Sequence, residues 1–524
     1  MADADIIIIG SGHNGLVAGA YLAAAGKSVL VLERNEWHGG GVVSRELTQP
    51  GFMHDQHSMS HIFIQGNPLL LNDDLGLKSK YGLQYVFPDV PMMSVWEDGS
   101  TLPLHRDPAK SAEAIRHFSE KDAQTFLEMS RQAAEWLPMI QAGLYSPPMP
   151  LGAQTAMMDQ SGEGQEIMRT MGMSTFDMME ELFEHDKVKA HFGRVAGENL
   201  VSPDEKSTGI GAYVFLGFLE KFGFGVPVGG SGSLTNALIA CIEDHGGSLR
   251  AGAQVREVFT DGEKAAGVVL DNGERLSCAD GIIGALHPHI LPDIVPSVPA
   301  EVGRKAKRTH ITEAACFTVH AALEEPLKFK VKRADGGDLS AVMYELMPAE
   351  YEDMRRAFDE LRYGNFSPTP LVGVGQLTQH DPSRAPDGKA IFHAWDYVPY
   401  NRKDGRNWDE AKGEFAQGMI ARMGDFIENV PDIVIDFHCD SPVDMERTSP
   451  SFFRGDLHGI ATTTYQSGSH RPTPDLGQYR VPGVDRLYLV GPFQHPGGGV
   501  FGAGRATAMV MAEDLGIDFD EITT

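Results

Sequence analysis

The pattern that most restricts the fold lies at the start of the chain, where a glycine-rich turn separates two apolar runs. Ile6 to Ile9 are four consecutive isoleucines, which is typical of a parallel strand buried on both faces. The following turn, Gly10-Ser11-Gly12-His13-Asn14-Gly15, has GxGxxG spacing. Its first glycine permits the tight turn, the second lets the backbone approach a pyrophosphate, and the third lets a helix pack on the strand. These residues predict a βαβ unit that binds a dinucleotide.

The residues after the turn complete this βαβ pattern. A helix is predicted from Leu16 to Ala25, with Gly26 as its C-cap, and a second strand is predicted from Ser28 to Leu32. Glu33 follows at the position where a carboxylate can accept hydrogen bonds from ribose hydroxyls. The acid disfavours a 2′-phosphate, and a single flanking Arg34 is more often a solvated charge than an NADP ligand. The predicted cofactor is therefore NAD or FAD.

Two further glycine clusters favour FAD. Gly39-Gly40-Gly41 comes soon after Glu33, which indicates a longer cofactor than the first half of NAD. Near the other end, a strand predicted from Leu487 to Val490 ends at Gly491. Gly497-Gly498-Gly499 and Val500 then lead into a helix predicted over 502–514. The N-terminus of such a helix stabilises negative charge, as on the N1/C2=O edge of a reduced flavin.

These motifs resemble the phytoene-desaturase-type branch of FAD-dependent oxidoreductases. The resemblance rests on the GxGxxG start, on "LYLVG" and "HPGGGV" near the end, and on the segment from Gly225 to Val258. It is closest to the phytoene dehydrogenase-related members, within the amine-oxidase-like flavoprotein superfamily. The resemblance implies a backbone contact to adenine near Val255. One departure is the segment Gly502 to Ala508, which is one residue shorter than the usual GAPGRNAA and lacks its asparagine.

The motifs and the resemblance together predict an α/β fold, with a Rossmann-type FAD-binding domain and an inserted α+β substrate domain. The FAD-binding domain is predicted from residues 1–75, 225–300 and 480–524, and the substrate-binding domain from 76–224 and 301–479. Asp98-Gly99 and Asn272-Gly273 predict hairpin turns. The stretch from Ala109 to Ile140 is predicted to be helical.

The cofactor is predicted to be non-covalent FAD, because no cysteine or histidine demands a covalent link. The predicted cofactor-binding residues are Gly10, Gly12, His13, Asn14, Gly15, Glu33, Arg34, Gly39, Gly40, Gly41, Val255, Gly491, Gly498, Gly499 and Val500. Apart from Gly10 to Gly15, the GxGxxG spacing recurs only at Gly497 to Gly502, inside the glycine cluster already assigned to FAD, so no separate NAD-binding turn is predicted. Electrons are therefore expected to leave to oxygen, a quinone or another carrier, unless the flavin works through a redox-neutral cycle.

The amino-acid composition restricts the ligands and the cellular location that can be expected. The formal net charge of −28 argues against nucleic acid as a ligand. Four scattered cysteines and the lack of a signal peptide pattern predict a cytoplasmic protein.

Two stretches suggest either a pocket for a small hydrophobic substrate or plain core packing. They are the segment with nine methionines between Met139 and Met179 and the aromatic stretch from Tyr213 to Gly225. A peripheral membrane contact is a third interpretation of the same stretches, and the oligomeric state stays open.

Histidines supply the candidate chemistry. His54, His57 and His61 have a spacing that would suit a metal only on a helix, and Pro50-Gly51 predicts a loop or strand instead, so no metal site is predicted. His57 and His495 flank the glycine clusters, and we expect one of them to take the proton that accompanies hydride transfer to flavin N5. The competing interpretation is that both rings only hold loops in place.

The function predicted from the sequence is that of an FAD-dependent dehydrogenase or desaturase. It would transfer hydride from a C–H bond of a hydrophobic, cyclic or polyene substrate to the flavin. A flavin amine oxidase and a redox-neutral FAD-dependent isomerase are the alternatives. A flavin-stabilised assembly protein without activity is a further alternative, supported only by the shortened turn at Gly502.

Overall fold

The computed structural model describes residues 2–333 and 336–523. In chain order the strands are β1 (Ala4–Ile9), β2 (Val29–Leu32), β3 (Ser44–Arg45), β4 (His54–Asp55), β5 (Tyr85–Val86), β6 (Met92–Val95), β7 (Thr101–Leu104), β8 (Val226–Pro227), β9 (Ser248–Arg250), β10 (Val255–Asp261), β11 (Lys264–Leu270), β12 (Arg275–Gly284), β13 (Ala315–Leu323), β14 (Met343–Leu346), β15 (Gly373–Gly375), β16 (Ala390–Val398), β17 (Val434–Asp440) and β18 (Leu487–Leu489).

The helices lie between these strands and on their faces. In chain order they are α1 (His13–Ala24), α2 (Pro68–Leu71), α3 (Pro108–Arg116), α4 (Glu120–Leu144), α5 (Leu151–Met158), α6 (Gly162–Gly172), α7 (Thr175–Leu182), α8 (Asp186–Gly197), α9 (Gly209–Phe222), α10 (Gly232–Asp244), α11 (Leu291–Ile294), α12 (Ala300–Ala306), α13 (Tyr351–Arg362), α14 (Trp408–Met423), α15 (Pro442–Thr448) and α16 (Gly504–Leu515). No helix among residues 2–333 and 336–523 is long and apolar enough to cross a membrane.

The first sheet has the Rossmann-type arrangement that the sequence predicts. Its strand order is β10-β11-β12-β1-β2-β9, and β18 also pairs with β12. β1 pairs in parallel with both β2 and β12, and the hairpin turn at Asn272-Gly273 connects β11 to β12. Apolar side chains of α1, α10 and α16 share one buried cluster with the strands, as Leu16, Leu238 and Met511 illustrate.

The second sheet has the order β17-β13-β16-β15-β14-β6-β7. The predicted turn at Asp98-Gly99 joins β6 to β7, and Gly99 has the positive φ of +88° that such a turn uses. One face of this sheet packs on α14, through Phe317, Phe392 and Met419 among others. Strands of the first sheet come from residues 4–32, 248–284 and 487–489, and strands of the second from 92–104 and 315–440. The exact domain boundaries stay predictions.

The prediction that the stretch from Ala109 to Ile140 is helical is wrong over residues 117–119, where the structure separates two helices. α3 ends at Arg116 and α4 begins at Glu120. Ser119 between them has extended backbone, and its hydroxyl accepts a hydrogen bond from the N–H of Asp122 at 3.1 Å. This is the geometry of an N-cap, so a new helix starts here instead of the old one continuing.

Candidate active site

One cavity connects the dinucleotide-type turn with the second sheet. Its volume is about 420 Å³. Of the predicted cofactor-binding residues, those that line it are Gly10, Gly12, His13, Asn14, Gly15, Glu33, Arg34, Gly40, Gly41, Val255, Gly491, Gly498, Gly499 and Val500. These residues come from three distant parts of the chain, and the fold brings them to one wall.

In the first glycine turn, the protein's own packing requires glycine at positions 10 and 15 but not at position 12. Gly10 has a φ of +91°, which favours glycine. A Cβ on Gly15 would lie 2.6 Å from the carbonyl oxygen of Gly10, so α1 can approach β1 only with glycine there. A Cβ on Gly12 would meet no protein atom within 4 Å. Because the protein's own packing leaves this space open, the turn fits a pyrophosphate beside Gly12.

The acid after the second strand is anchored to the same turn. Glu33 is 6% exposed. One of its carboxylate oxygens accepts hydrogen bonds from the N–H and the hydroxyl of Ser11, at 2.9 and 2.8 Å, and the other accepts one from the N–H of Asn35 at 3.0 Å. A carboxylate offers about four lone-pair sites, so an acceptor position remains for a ribose hydroxyl.

The second glycine cluster packs directly against the first. The N–H of Gly39 donates to the carbonyl of Ser11 at 3.0 Å, so this glycine holds the loop and does not line the cavity. A Cβ on Gly40 would lie 2.9 Å from the Cα of Gly12. The close approach of these two backbones explains the glycine at position 40 and places Gly41 at the cavity wall.

The last glycine cluster lines the cavity close to the point where the N-terminal ends of α1 and α16 meet. A Cβ on Gly504 would lie 1.9 Å from the carbonyl oxygen of Asn14, so the first turn of α16 touches the first turn of α1. A Cβ on Gly498 would lie 2.3 Å from the Cβ of His458. The N-terminal ends of α1 and α16 therefore converge near the cavity, and their combined dipoles favour an anionic group.

The remaining cavity wall is predominantly apolar. It includes Met59, Ile62, Phe63, Met92, Leu104, Phe192, Val195, Phe215, Leu216, Phe224, Met343 and Trp395, which we call the apolar chamber. From the aromatic stretch predicted to form a pocket, Phe215 and Phe224 line it. None of the nine methionines between Met139 and Met179 lines it, which favours the alternative of core packing for that stretch. Those methionines pack in the core, as Met179 does, or lie exposed, as Met157 does.

The structure separates the two candidate histidines. His57 lines the cavity, and its ring stands edge-on to Phe452 with 5.0 Å between the centroids. Neither ring nitrogen of His57 has a hydrogen-bond partner in the described part of the chain. Burial lowers the pKa of His57 to about 4. His495 does not line the cavity, and its Nε2 lies 2.8 Å from the carbonyl oxygen of Gly143. The catalytic role of either residue stays a prediction.

Several polar residues in the cavity wall belong to no motif recognised in the sequence, among them Glu198 and His393. Glu198, at the end of α8, accepts hydrogen bonds from the indole of Trp395 and the hydroxyl of Tyr397, each at 3.0 Å, and from Arg194. His393, on β16, has no hydrogen-bond partner for either ring nitrogen in the described residues. Strand alternation in the sequence AIFHAWDYV puts His393 on the same face as Trp395, which is the one signal that could have found it.

A parallel sheet with glycine turns and an anchored acid, opening on a cavity with an apolar chamber, defines a dinucleotide-dependent oxidoreductase. Residues 15–428 match the family described as Flavin containing amine oxidoreductase. The chain belongs to this family, it is an oxidoreductase, and its cofactor is FAD. The lining glycines, the open space beside Gly12 and the acceptor position on Glu33 fit that cofactor.

Two proteins of similar sequence and one solved structure of similar fold are also oxidoreductases by name. One subunit of the limonene dehydrogenase of Castellaniella defragrans is 26% identical over 98% of this chain and 95% of its own length. Phytoene desaturase (lycopene-forming) of Pantoea ananas is 23% identical over 97% of this chain and 99% of its own length. Cyclohexylamine oxidase of Brevibacterium oxydans shares the fold, with a TM-score of 0.59 and 18% identity over 98% of this chain and 100% of that chain.

Proposed function

We propose that this protein is an FAD-dependent dehydrogenase or desaturase that forms a double bond in a hydrophobic, cyclic or polyene substrate. The bound FAD supplies flavin N5 as the acceptor of the hydride. The observation that carries the proposal is the continuity of the cavity from the cofactor-binding glycines into the apolar chamber. Such a chamber binds a substrate by excluding water from apolar surface.

The relatives support a hydrocarbon substrate. Limonene is a cyclic hydrocarbon and phytoene is a polyene, and both appear in the names of relatives that match nearly the whole chain. We propose the same chemical class here.

For the electrons we propose oxygen, a quinone or another carrier as acceptor. For the protein we propose a cytoplasmic location, with peripheral membrane contact for taking up substrate.

His57 is the residue we propose to accept the substrate proton. Burial lowers its pKa to about 4, so its imidazole is neutral near neutral pH and has one nitrogen free to accept a proton. Both nitrogens lack partners in the described residues, so neither is engaged in holding a loop. This observation favours the role of a base over the competing role of a structural histidine.

Amine oxidation is the second candidate, and Glu198 is the observation that favours it. A carboxylate in an apolar cavity can bind an ammonium group. However, Glu198 is already paired with the Arg194 guanidinium and with the donors of Trp395 and Tyr397. Arg194 also contacts the buried carboxyl group of Glu345 at 2.6 Å, and burial raises the pKa of Glu345, which favours its neutral form. The charge of Arg194 therefore compensates mainly Glu198, which leaves less attraction for a cationic substrate and favours a hydrocarbon.

The test is anaerobic mixing of the purified flavoprotein with substrates of matched shape. We expect limonene-type cyclic hydrocarbons or acyclic polyenes to bleach the flavin, and cyclohexylamine to leave its absorbance unchanged. Bleaching by the amine alone would instead establish an amine oxidase. A changed product without bleaching would establish the redox-neutral alternative, and no response to any compound would contradict all three.

A blocking variant checks where the substrate binds. Ala212 lines the cavity beside Phe215 and Leu216 of the apolar chamber and is 9% exposed, so Ala212→Phe fills part of the space there. We expect this variant to keep its FAD and to lose substrate-dependent bleaching. Ala156→Phe places the same ring on the exposed α5 and serves as the matched control. Equal bleaching of both variants would show that the substrate binds elsewhere.

A further inference from the structure

Three histidines form a row across the second sheet. His393 on β16 is paired in register with His320 on β13, and His320 is paired with His438 on β17. The ring centroids of His393 and His320 are 4.3 Å apart, and those of His320 and His438 are 6.3 Å apart. We call these residues the histidine row.

The row runs from the cavity to the surface. His393 lines the cavity. His320 is fully buried, at 0% exposure, and the side chain of His438 is 36% exposed. At this outer end the Nε2 of His438 lies 3.0 Å from a carboxylate oxygen of Asp440, whose other oxygen accepts a hydrogen bond from Gln56 at 3.0 Å. The carboxylate thereby holds the outermost imidazole in place at the surface end of the row.

Packing alone does not explain imidazoles at these positions. The opposite face of the same two strands carries apolar side chains, among them Val319, Ala321, Phe392 and Ala394. The four ring nitrogens of His320 and His393 have no hydrogen-bond partner among the described residues. Buried polar groups without partners reduce stability, so their presence calls for a functional reason.

We propose that His393, His320 and His438 form a path that carries protons between the active-site cavity and solvent. A neutral imidazole has one donor and one acceptor nitrogen, so it can receive a proton at one nitrogen and release one from the other. Because the rings make no direct hydrogen bond to one another, the proposed path has water between neighbouring rings pass the proton along. The proposal rests on the proposed function, since dehydrogenation needs such a path. As the substrate double bond forms, one C–H bond would give a hydride to the bound FAD, and the imidazole of His57, which lies near His393, would take the proton of the neighbouring C–H bond and pass it to the row.

The surroundings of the row keep its inner members neutral between protons. The groups that face it are His54, whose ring centroid is 5.7 Å from that of His320, together with His57 and Asp440. Arg45 and Arg384 lie beyond them, next to His57 and His54. Burial, helped by the neighbouring imidazoles, lowers the pKa of His320, and burial lowers that of His393 to about 3. Interior rings with a low pKa pass a proton outward and do not retain it. No group of three or more His, Cys, Asp or Glu side chains in the described residues could hold a metal ion, so metal binding does not explain the row.

The test follows the proton independently of any substrate. Photoreduced holoenzyme is mixed with ferricyanide in weak buffer that contains a pH-indicator dye. Two ferricyanide ions take two electrons and no proton, so reoxidation of the anionic reduced flavin, FADH⁻, to FAD releases one proton into the cavity. Flavin absorbance reports the electrons, and the dye reports arrival of the proton in solution. Bleaching by substrates decides the proposed function, whereas this timing decides the path, so the two can fail separately.

We expect proton arrival in the wild type to coincide with recovery of flavin absorbance. In His320→Phe the proton should lag by at least about tenfold while flavin recovery keeps its rate. His289→Gln is the control, because His289 lies outside the row with its Nε2 2.9 Å from the carbonyl oxygen of Thr309. An unchanged dye signal in His320→Phe, with wild-type FAD content and melting temperature, would overturn the proposal.

His438→Gln keeps the proposal testable if His320→Phe does not fold. This residue is partly exposed, so the variant removes only the outer end of the row. We expect a delayed proton that added imidazole restores to the wild-type rate, with no effect of imidazole on His289→Gln. Proton arrival at the wild-type rate in His438→Gln without imidazole would contradict the path.

Discussion

The carboxylate of Glu33 holds Ser11 by two hydrogen bonds, at 2.9 Å from its N–H and 2.8 Å from its hydroxyl. Glu33 follows the second strand, and Ser11 lies within the glycine turn after the first strand. The residue that we propose as the ribose acceptor therefore also fixes the backbone that approaches the pyrophosphate.

Glu33→Ala should weaken FAD binding more than Glu33→Gln. Glutamine keeps an oxygen acceptor, whereas alanine leaves a ribose hydroxyl and the Ser11 donors unpaired, at a cost on the order of 1–3 kcal/mol. That cost corresponds to roughly 10- to 100-fold in Kd, which titration of FAD into the apoprotein measures. Ser11→Ala is the control, since its N–H still reaches Glu33. Equal affinities in all variants would exclude Glu33 as the ribose ligand.

Arg384 should be costlier to replace than an arginine in an exposed ion pair. It is fully buried, is paired with Asp55 and lies 2.9 Å from Asp381. Asp55 in turn accepts a hydrogen bond from the N–H of Ser231 at 2.7 Å, so the pair connects β4 to the segments that contain Arg384 and Ser231. We expect Arg384→Met to lower the free energy of unfolding by roughly 3–5 kcal/mol in denaturant titrations. Exposed Arg356→Met should cost less than about 1 kcal/mol, and similar losses in both variants would contradict this account.

His57→Gln should slow flavin reduction by substrate about 10²-fold while FAD stays bound. His495→Gln should reduce at nearly the wild-type rate, because His495 lies outside the cavity wall. Since burial lowers the pKa of His57 to about 4, the wild-type rate should not change between roughly pH 6 and 9. Stopped-flow absorbance measures each rate, and an unchanged rate in His57→Gln would show that another group accepts the proton.

Acid should destabilise the protein well before its carboxylates titrate. Burial lowers the pKa of His54 and His57 to about 4 and of His393 to about 3, from an ordinary value of 6.5. The unfolded state therefore binds more protons below that ordinary value, so stability is full above it and is lost as the pH falls toward these lowered values. Melting temperatures measured across that range should fall steeply, and less steeply in His393→Phe. A flat profile would contradict neutral buried imidazoles.

Short sequence motifs were sufficient to predict the βαβ unit and the glycine clusters that line the cavity. The βαβ unit, Glu33 and the glycine clusters depend on residues close in sequence, where spacing determines whether the backbone can turn or approach a ligand. The break at Ser119 was missed because a good helix periodicity continues across it, and the capping hydroxyl decides the local structure.

The substrate half depended on contacts between distant segments. Glu198 becomes a cavity residue only when α8 packs beside β16, where Trp395 and Tyr397 reach it. His320, His393 and His438 form a row only through the register of three strands. Methionines between 139 and 179 are abundant, yet abundance does not determine which way a helix faces.

The central claim is that FAD lies against the glycine turn, and Gly12→Ala tests it most directly. A Cβ at Gly12 meets no protein atom within 4 Å, whereas at Gly15 it would lie 2.6 Å from a backbone oxygen. Gly418→Ala, on the exposed side of α14 with equally open space, is the matched control. The measurement is the melting temperature of each apoprotein together with its Kd for FAD. We predict that Gly12→Ala melts like the wild type but binds FAD at least about tenfold more weakly, that Gly15→Ala loses stability, and that Gly418→Ala does neither. Wild-type FAD affinity in a stably folded Gly12→Ala variant would contradict the placement of the cofactor at this turn.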